Sequence, residues 1–375
     1  MISICRYTQN KQTEWDDFVK VSKNGTFLFL RSYMDYHSDR FQDHSLMFYN
    51  EKNRLIAVLP ANGPSKSPLK GDFPSNQLSA SPPALSRREG AGVLNGERDK
   101  ELEEKLVIES APSLRGRAGG EAILFHSHQG LTYGGFVLSP EIHISEVGEL
   151  FRLTVAYLKE NGFCEWIYKQ IPYIYHLIPS QEEDYWLWRY NATLKACNMM
   201  TAIDLGHSEI DITSSRKRTY FNKLTRQGYT VAIDDNIRNF WPILEDNLME
   251  RFCSRPVHSL SEIELLKQRF PDNIVCCTVK NPDGKTIAGT LLFITQQVVR
   301  TQYISASHEG KHTNALDYLM LSLINHYKSH PEYRYFEFGT SMAEDGIHLN
   351  EGLILQKEGF GGRAVACNIY TIKIQ

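Results

Sequence analysis

One order of elements constrains this chain of 375 residues more than any other feature, because it occurs twice. Strand-forming residues at 45–60, interrupted by Asn50-Glu-Lys-Asn53, read as a hairpin. A strand at 130–137, an amphipathic helix at 145–161 closed by Gly162, and a strand at 163–171 follow. The second half repeats the series with a hairpin at 275–294 over Asn281-Pro-Asp-Gly284, a strand at 301–307, a helix at 315–329 and a strand at 333–338. Even Leu55-Ile-Ala-Val-Leu and Thr286-Ile-Ala-Gly-Thr-Leu-Leu correspond. A unit this long is a domain rather than a solenoid repeat, so the pattern predicts two tandem domains. The fold class expected is α+β, with mixed, largely antiparallel sheets.

The first copy is interrupted at 63–121. Six of the fifteen prolines lie there, with eight glycines, eight serines and Phe73 as the one aromatic residue. Such a segment buries too little apolar surface to offset the entropy of ordering it. It is expected to be a disordered low-complexity insertion. The division predicted is therefore 1–62 with 122–205 as the N-terminal domain, and 206–375 as the C-terminal, donor-binding one. Seven scattered cysteines show no metal-ligand spacing, so free thiols and no metal are expected. A net charge of −3 argues against a large DNA footprint. No run suits a membrane span and no basic-then-apolar leader is visible, which points to a cytoplasmic protein.

The stretch 303–362 carries the functional signal. Its strand passes through a polar segment, Ser307-His-Glu-Gly-Lys-His-Thr-Asn314, into a helix whose Leu316, Leu319, Met320, Leu323, Ile324 and Tyr327 share one face. Free amides and the dipole at such a helix start favour an anion, so a nucleotide-type phosphate is expected at Ser307, Glu309, Gly310, Lys311, His312, Thr313 and Asn314. Arg216, Lys217 and Arg218 stand at another helix start, where cations oppose the dipole. They read either as a site for an anionic acceptor or as a solvated basic face.

Several motifs together resemble the FemAB-like branch of the GNAT superfamily, tandem-domain enzymes that include cell-wall peptidyltransferases and acyl-CoA-dependent relatives of surface-polysaccharide biosynthesis. They are Gly130–Gly135, Arg216–Arg218, Pro256-Val-His258, Ile287-Ala-Gly289, Phe338-Gly-Thr-Ser341, His348-Leu-Asn350-Glu-Gly352 and Gln356-Lys-Glu-Gly-Phe-Gly-Gly-Arg363. The resemblance implies two GNAT domains and a pair of strands that splay to admit pantetheine. It also implies acyl transfer, acetyl above all, from acyl-CoA to an amine of a small-molecule or lipid-linked glycan or cell-wall precursor. Aminoacyl-tRNA is the alternative donor, disfavoured because 211–275 has no room for a coiled-coil arm. A binding scaffold with decayed sites is the non-enzymatic alternative.

Direct attack by the amine needs no nucleophilic side chain, only a held thioester, an oxyanion donor and a proton sink. Backbone amides near 304–306 are the expected oxyanion donors. Glu337, mid-strand between aromatics, either pairs with a basic neighbour or acts as a base with a raised pKa. His348 is the other candidate base, or else orders its loop. Tyr133, His258, Asn350 and Lys357 join Arg216 and Arg218 as acceptor-binding candidates; Lys357 has pairing with Glu358 as its alternative role.

Overall fold

The computed structural model describes residues 1–63, 123–206, 215–343 and 345–375, without the side chains of His37 and Arg216. The expected disordered insertion thus lies outside the described residues, apart from Gly63. In chain order the strands are β1 (Ser3–Arg6), β2 (Gln42–Asp43), β3 (Leu46–Tyr49), β4 (Leu55–Leu59), β5 (Asn62–Gly63), β6 (Leu124–His126), β7 (Val137–Leu138), β8 (Glu165–Lys169), β9 (Thr193–Asp204), β10 (Thr230–Ile233), β11 (Ile274–Lys280), β12 (Thr286–Ile294), β13 (Val298–Ala306), β14 (Tyr335–Thr340) and β15 (Arg363–Lys373). The helices are α1 (Gln12–Val21), α2 (Arg31–Met34), α3 (Ile144–Glu160), α4 (Glu182–Arg189), α5 (Ser215–Arg226), α6 (Ile237–Phe252), α7 (Leu260–Arg269), α8 (His308–Thr313), α9 (Ala315–Lys328) and α10 (Glu351–Glu358).

The two copies form as the order of elements requires. Both hairpins turn on an asparagine. Asn50 Oδ1 accepts from the amides of Lys52 and Arg54, and Asn281 Oδ1 from those of Asp283 and Lys285. Gly284, at φ 80°, supplies the left-handed residue of the second turn. The apolar stripe of α9 is buried as expected. The third strand of the first copy is the exception. The expected strand at 130–137 shrinks to β7, because the Phe136 amide bonds the Tyr168 hydroxyl at 2.9 Å, a side chain rather than a neighbouring strand.

Two sheets result. β1-β3-β4-β7 is four-stranded and antiparallel. The other has eleven strands in the order β10-β11-β12-β13-β14-β9-β15-β8-β6-β5-β2, antiparallel except for β13/β14 and β6/β8. β15 lies between β9 and β8, so one ladder runs from one half into the other. A shared core fills the seam between the halves. Phe27 of the first half packs on Phe270 and Phe293 of the second at ring-centroid distances of 5.4 and 5.6 Å. Buried aromatics of this size stabilise by roughly 2–3 kcal/mol each, so the halves are fused rather than tethered. No helix among the described residues is long and apolar enough to cross a membrane.

Candidate active site

β13 and β14 form a fork. They pair in parallel through Val298–Tyr335, Val299–Phe336 and Arg300–Glu337, and no further. Each strand is deflected just beyond the last rung. On β13 the register against β12 slips between Leu291, opposite Tyr303, and Leu292, opposite Thr301, so Gln302 is extra. On β14 the register against β9 breaks between Glu337 and Thr340, where Gly339 adopts φ 77°. Bulges of this kind bend a strand and end its pairing. Ser307 donates its amide to Ile287 O on the β12 side. By the alternation of an extended strand, the amides of Ile304 and Ala306 face the other way, into the gap.

Arg300 and Glu337 close the crotch of the fork. Glu337 has no exposed surface. Its Oε2 lies 3.1 Å from Arg300 Nη1 and accepts from the Tyr175 hydroxyl at 3.1 Å, while its Oε1 accepts from the Gly339 amide. Burial alone would lower the pKa of Arg300, but the Glu337 charge outweighs it and holds the guanidinium above its ordinary value. Of the two roles expected for Glu337 the structure realises the pairing. Both carboxylate oxygens are engaged and shielded from solvent, which favours the pairing over a role as base. Tyr133, expected to line an open acceptor cleft, is likewise buried. Its ring packs on Tyr175 at 4.5 Å and its hydroxyl donates to Thr26 Oγ1 at 3.4 Å.

Lys357 flanks the β14 prong. Its ammonium donates to Gly339 O, Thr340 O and Ser341 Oγ at 3.0, 2.7 and 2.9 Å, and does not pair with Glu358. Burial pushes this lysine down to about 7, against the pull of Glu337 and with a further push from Arg300. On the β13 prong, Tyr303 Oη sits 2.6 Å from His258 Nδ1. Both residues are buried, and His258 therefore belongs to the fork.

Other expected residues have different places. His348 is exposed and bound to Asp345, whose carboxylate raises the imidazole pKa and is itself held down to about 2 by that bond. It shares no contact with Glu337. Asn350 caps α10, accepting from the Leu353 amide at 3.0 Å, and its own amide reaches Ser341 O. The polar segment is not an open amide loop but the helix α8. The Gly310 amide bonds Ser307 Oγ, the Lys311 amide bonds Ser307 O, and Asn314 donates back into the turn from φ 57°. Glu309 accepts from Asn281, Lys311 faces Glu250 at 3.7 Å, His312 meets His308 at 3.2 Å and Thr313 bonds Glu309 O. Gly310 is required for close approach rather than flexibility, since a Cβ there would lie 2.2 Å from Ile287 O. The basic run lies against the helix that follows: Lys217 pairs with Asp317 in the first turn of α9 at 2.9 Å and covers the Phe360 ring at 3.6 Å. Arg218 is exposed beside it, and the Arg216 side chain lies outside the described residues.

The corresponding opening in the first half is filled. β7 and β8 are unpaired, but Tyr168 occupies the space between them, bonded to Phe136 N and Glu183. A cavity of about 630 Å³ near the start of α3 is lined by charges of both signs, Glu51, Glu141, Glu146 and Glu149 with Lys52 and Arg54. Among the described residues no group of three or more His, Cys, Asp or Glu side chains could hold a metal ion. Sequence reasoning missed Arg300 and Tyr303. Arg300 left a trace, a lone cation in a strand whose neighbour carries the lone carboxylate Glu337; Tyr303 left none.

Residues 213–345, from the approach to α5 through the loop after β14, match the family described as acetyltransferase (GNAT) domain. No curated protein matches the chain. Among solved structures the chain is similar to FemX, at 11% identity and TM-score 0.63, over 99% of this chain and 97% of that one. It is also similar to a conserved protein of unknown function from Bacteroides thetaiotaomicron, at 9% identity and TM-score 0.54, over 100% of both chains. These likenesses show the fold, and the matched domain agrees with the GNAT resemblance over 213–345.

Proposed function

We propose that this chain, which carries a GNAT acetyltransferase domain on the fold of FemX, transfers an acyl group, acetyl by preference, from acyl-CoA to an amine of a cell-surface glycan or cell-wall precursor. One observation carries the reading: the backbone pairing of β13 with β14 stops immediately after Arg300–Glu337, which on this reading leaves the two strands free to admit a slot-bound donor. A pantetheine arm laid in that slot brings its thioester to the gap-facing amides of Ile304 and Ala306, which meet the developing oxyanion. Lys357 adds positive charge from the opposite prong. The amine arrives from the seam between halves, taken here as 1–62 with 122–205 and 206–375. The cytoplasm, where acyl-CoA and nucleotide-linked precursors occur, is the compartment this reading requires.

The donor's phosphates are assigned to the basic start of α5 and the first turn of α9, joined by Lys217–Asp317, because the α8 amides are largely engaged. The same face favours a second reading. Five cations and no carboxylate within α5 suit a longer polyanion, aminoacyl-tRNA. A closed strand pair would favour the non-catalytic scaffold; the end of β13/β14 pairing at Arg300–Glu337 speaks for the catalytic reading.

Thiol release from acetyl-CoA is the test, with a panel of amino-sugar nucleotides and lipid-linked amino sugars as acceptors. Acceptor-dependent release supports the proposal. No CoA binding by calorimetry together with no release across the panel overturns it. Tight tRNA binding that weakens steeply with salt moves the assignment to the second reading.

A further inference from the structure

The His258–Tyr303 pair has no structural need for its chemistry. A buried tyrosine on an aromatic seam could be phenylalanine, and a buried histidine needs a reason to be there. Tyr303 is 3% exposed and His258 6%, yet Val257 beside His258 is 41% exposed, so the pair lies one residue beneath the surface. Tyr303 stands on the open prong of β13, one residue past the extra Gln302. Its hydroxyl accepts from the His258 amide at 3.4 Å and lies 2.6 Å from Nδ1, an arrangement in which it donates to the ring nitrogen. The first half completes the assembly. The Tyr36 ring stacks on the His258 imidazole at 5.7 Å and 24°, and Arg40 bonds Glu262 one helical turn beyond His258. Trp241 of α6 holds the Tyr303 ring edge-on at 5.6 Å.

We infer that Tyr303 and His258 form a proton relay for acyl transfer at the fork, and that the first half serves the reaction by fixing the imidazole through Tyr36. The inference rests on the acyltransferase reading above. The amine nitrogen bonds to the thioester carbon. The ammonium so formed gives its proton to Tyr303 Oη as the hydroxyl proton passes to His258 Nδ1. Collapse of the adduct breaks the C–S bond, and the relay runs backwards to return the proton to the thiolate. The products are an amide and a thiol, with no net change in the protein. The groups facing the imidazole are Tyr303 from β13, Tyr36 from the first half, and the Glu262–Arg40 pair. The relay needs a neutral imidazole, so kcat rises with pH as His258 loses its proton.

The full-length chain tests this with acetyl-CoA and the acceptor that supports thiol release. Tyr303→Phe is expected to lower kcat about 100-fold, with the KM for acetyl-CoA unchanged. His258→Gln is expected to remove the ascending limb of the pH profile. Tyr36→Ala is expected to lower kcat and Tyr36→Phe to restore it, as for a positioning residue. Wild-type kcat and pH profile in Tyr303→Phe overturn the relay while leaving the acyltransferase reading intact. Failure of the wild type to release thiol overturns the acyltransferase reading and the relay with it. Ligand-free NMR of labelled histidine checks the bond itself: a hydrogen-bonded Nδ1 lost in Tyr303→Phe is expected, and an unchanged Nδ1 overturns the relay.

Discussion

Glu337→Gln separates the two roles that the sequence left open for this residue, structural pairing and base catalysis. The substitution takes the charge from a carboxylate with no exposed surface and leaves Arg300, itself 3% exposed, facing a neutral amide. Removing one member of a buried ion pair costs about 3–5 kcal/mol, because the remaining charge stays desolvated with nothing to answer it. Tyr175 and Gly339 donate to different oxygens of Glu337. Glutamine offers a single carbonyl oxygen, so one of these donors loses its bond, at a further cost of roughly 1 kcal/mol. The total, about 4–6 kcal/mol, is a large part of the roughly 5–15 kcal/mol that keeps a folded domain together. Urea unfolding followed by circular dichroism should show a midpoint lower by on the order of 1–2 M. Combining it with Arg300→Met removes both charges and should recover most of the loss, as a coupled pair requires. An unchanged midpoint in Glu337→Gln with abolished turnover would refute the reasoning and return Glu337 to the role of base. A double variant as unstable as the single one would equally refute it.

Two further outcomes follow from the site. Burial lowers Lys357 from 10.5 to about 7, so between those values the unfolded chain holds a proton that the folded chain lacks, and stability should rise with pH across that window. Lys357→Met should flatten the rise in urea midpoint between pH 7 and pH 10, leaving the part owed to buried Lys169, which burial pushes down to about 8. Gly310→Ala should force α8 away from β12, since its Cβ would lie 2.2 Å from a backbone oxygen. Urea unfolding should show a loss of roughly 1–3 kcal/mol from the forced repacking, while calorimetry finds acetyl-CoA affinity little changed, since the phosphates are assigned to α5 and α9.

Local patterns in the sequence reached as far as local physics determines structure. The alternation of 275–294 and the Asn-Pro-Asp-Gly turn place the β11–β12 hairpin, and the stripe from Leu316 to Tyr327 places α9 on the sheet. The bulges that open the fork leave no such mark. Gln302 reads as one more strand residue, and its displacement depends on how β12 and β13 align across the sheet. The polar run Ser307–Asn314 reads as a loop because it is polar, carries Gly310 and ends in the N-cap candidates Thr313 and Asn314. The structure closes a turn there because Ser307 caps it and only a glycine fits against Ile287 O. Glu337 was legible as a buried charge, whereas its partner Arg300 emerged only when the crossover brought distant strands into register. His258 and Tyr303 are separated by one helix and two strands, so no spacing in the sequence announces their contact.

The placement of β15 bears on how substrate gains entry. A ladder continuous from β14 through β9 and β15 to β8 resists the jaw-like gape by which many bilobed enzymes admit their ligands, because such a motion would tear a row of backbone hydrogen bonds. On the proposed function, substrate would then enter without parting this ladder. Deleting β15 would do more than shorten the chain, since it would leave the flanks of β8 and β9 as raw edges ready to recruit strands from other molecules.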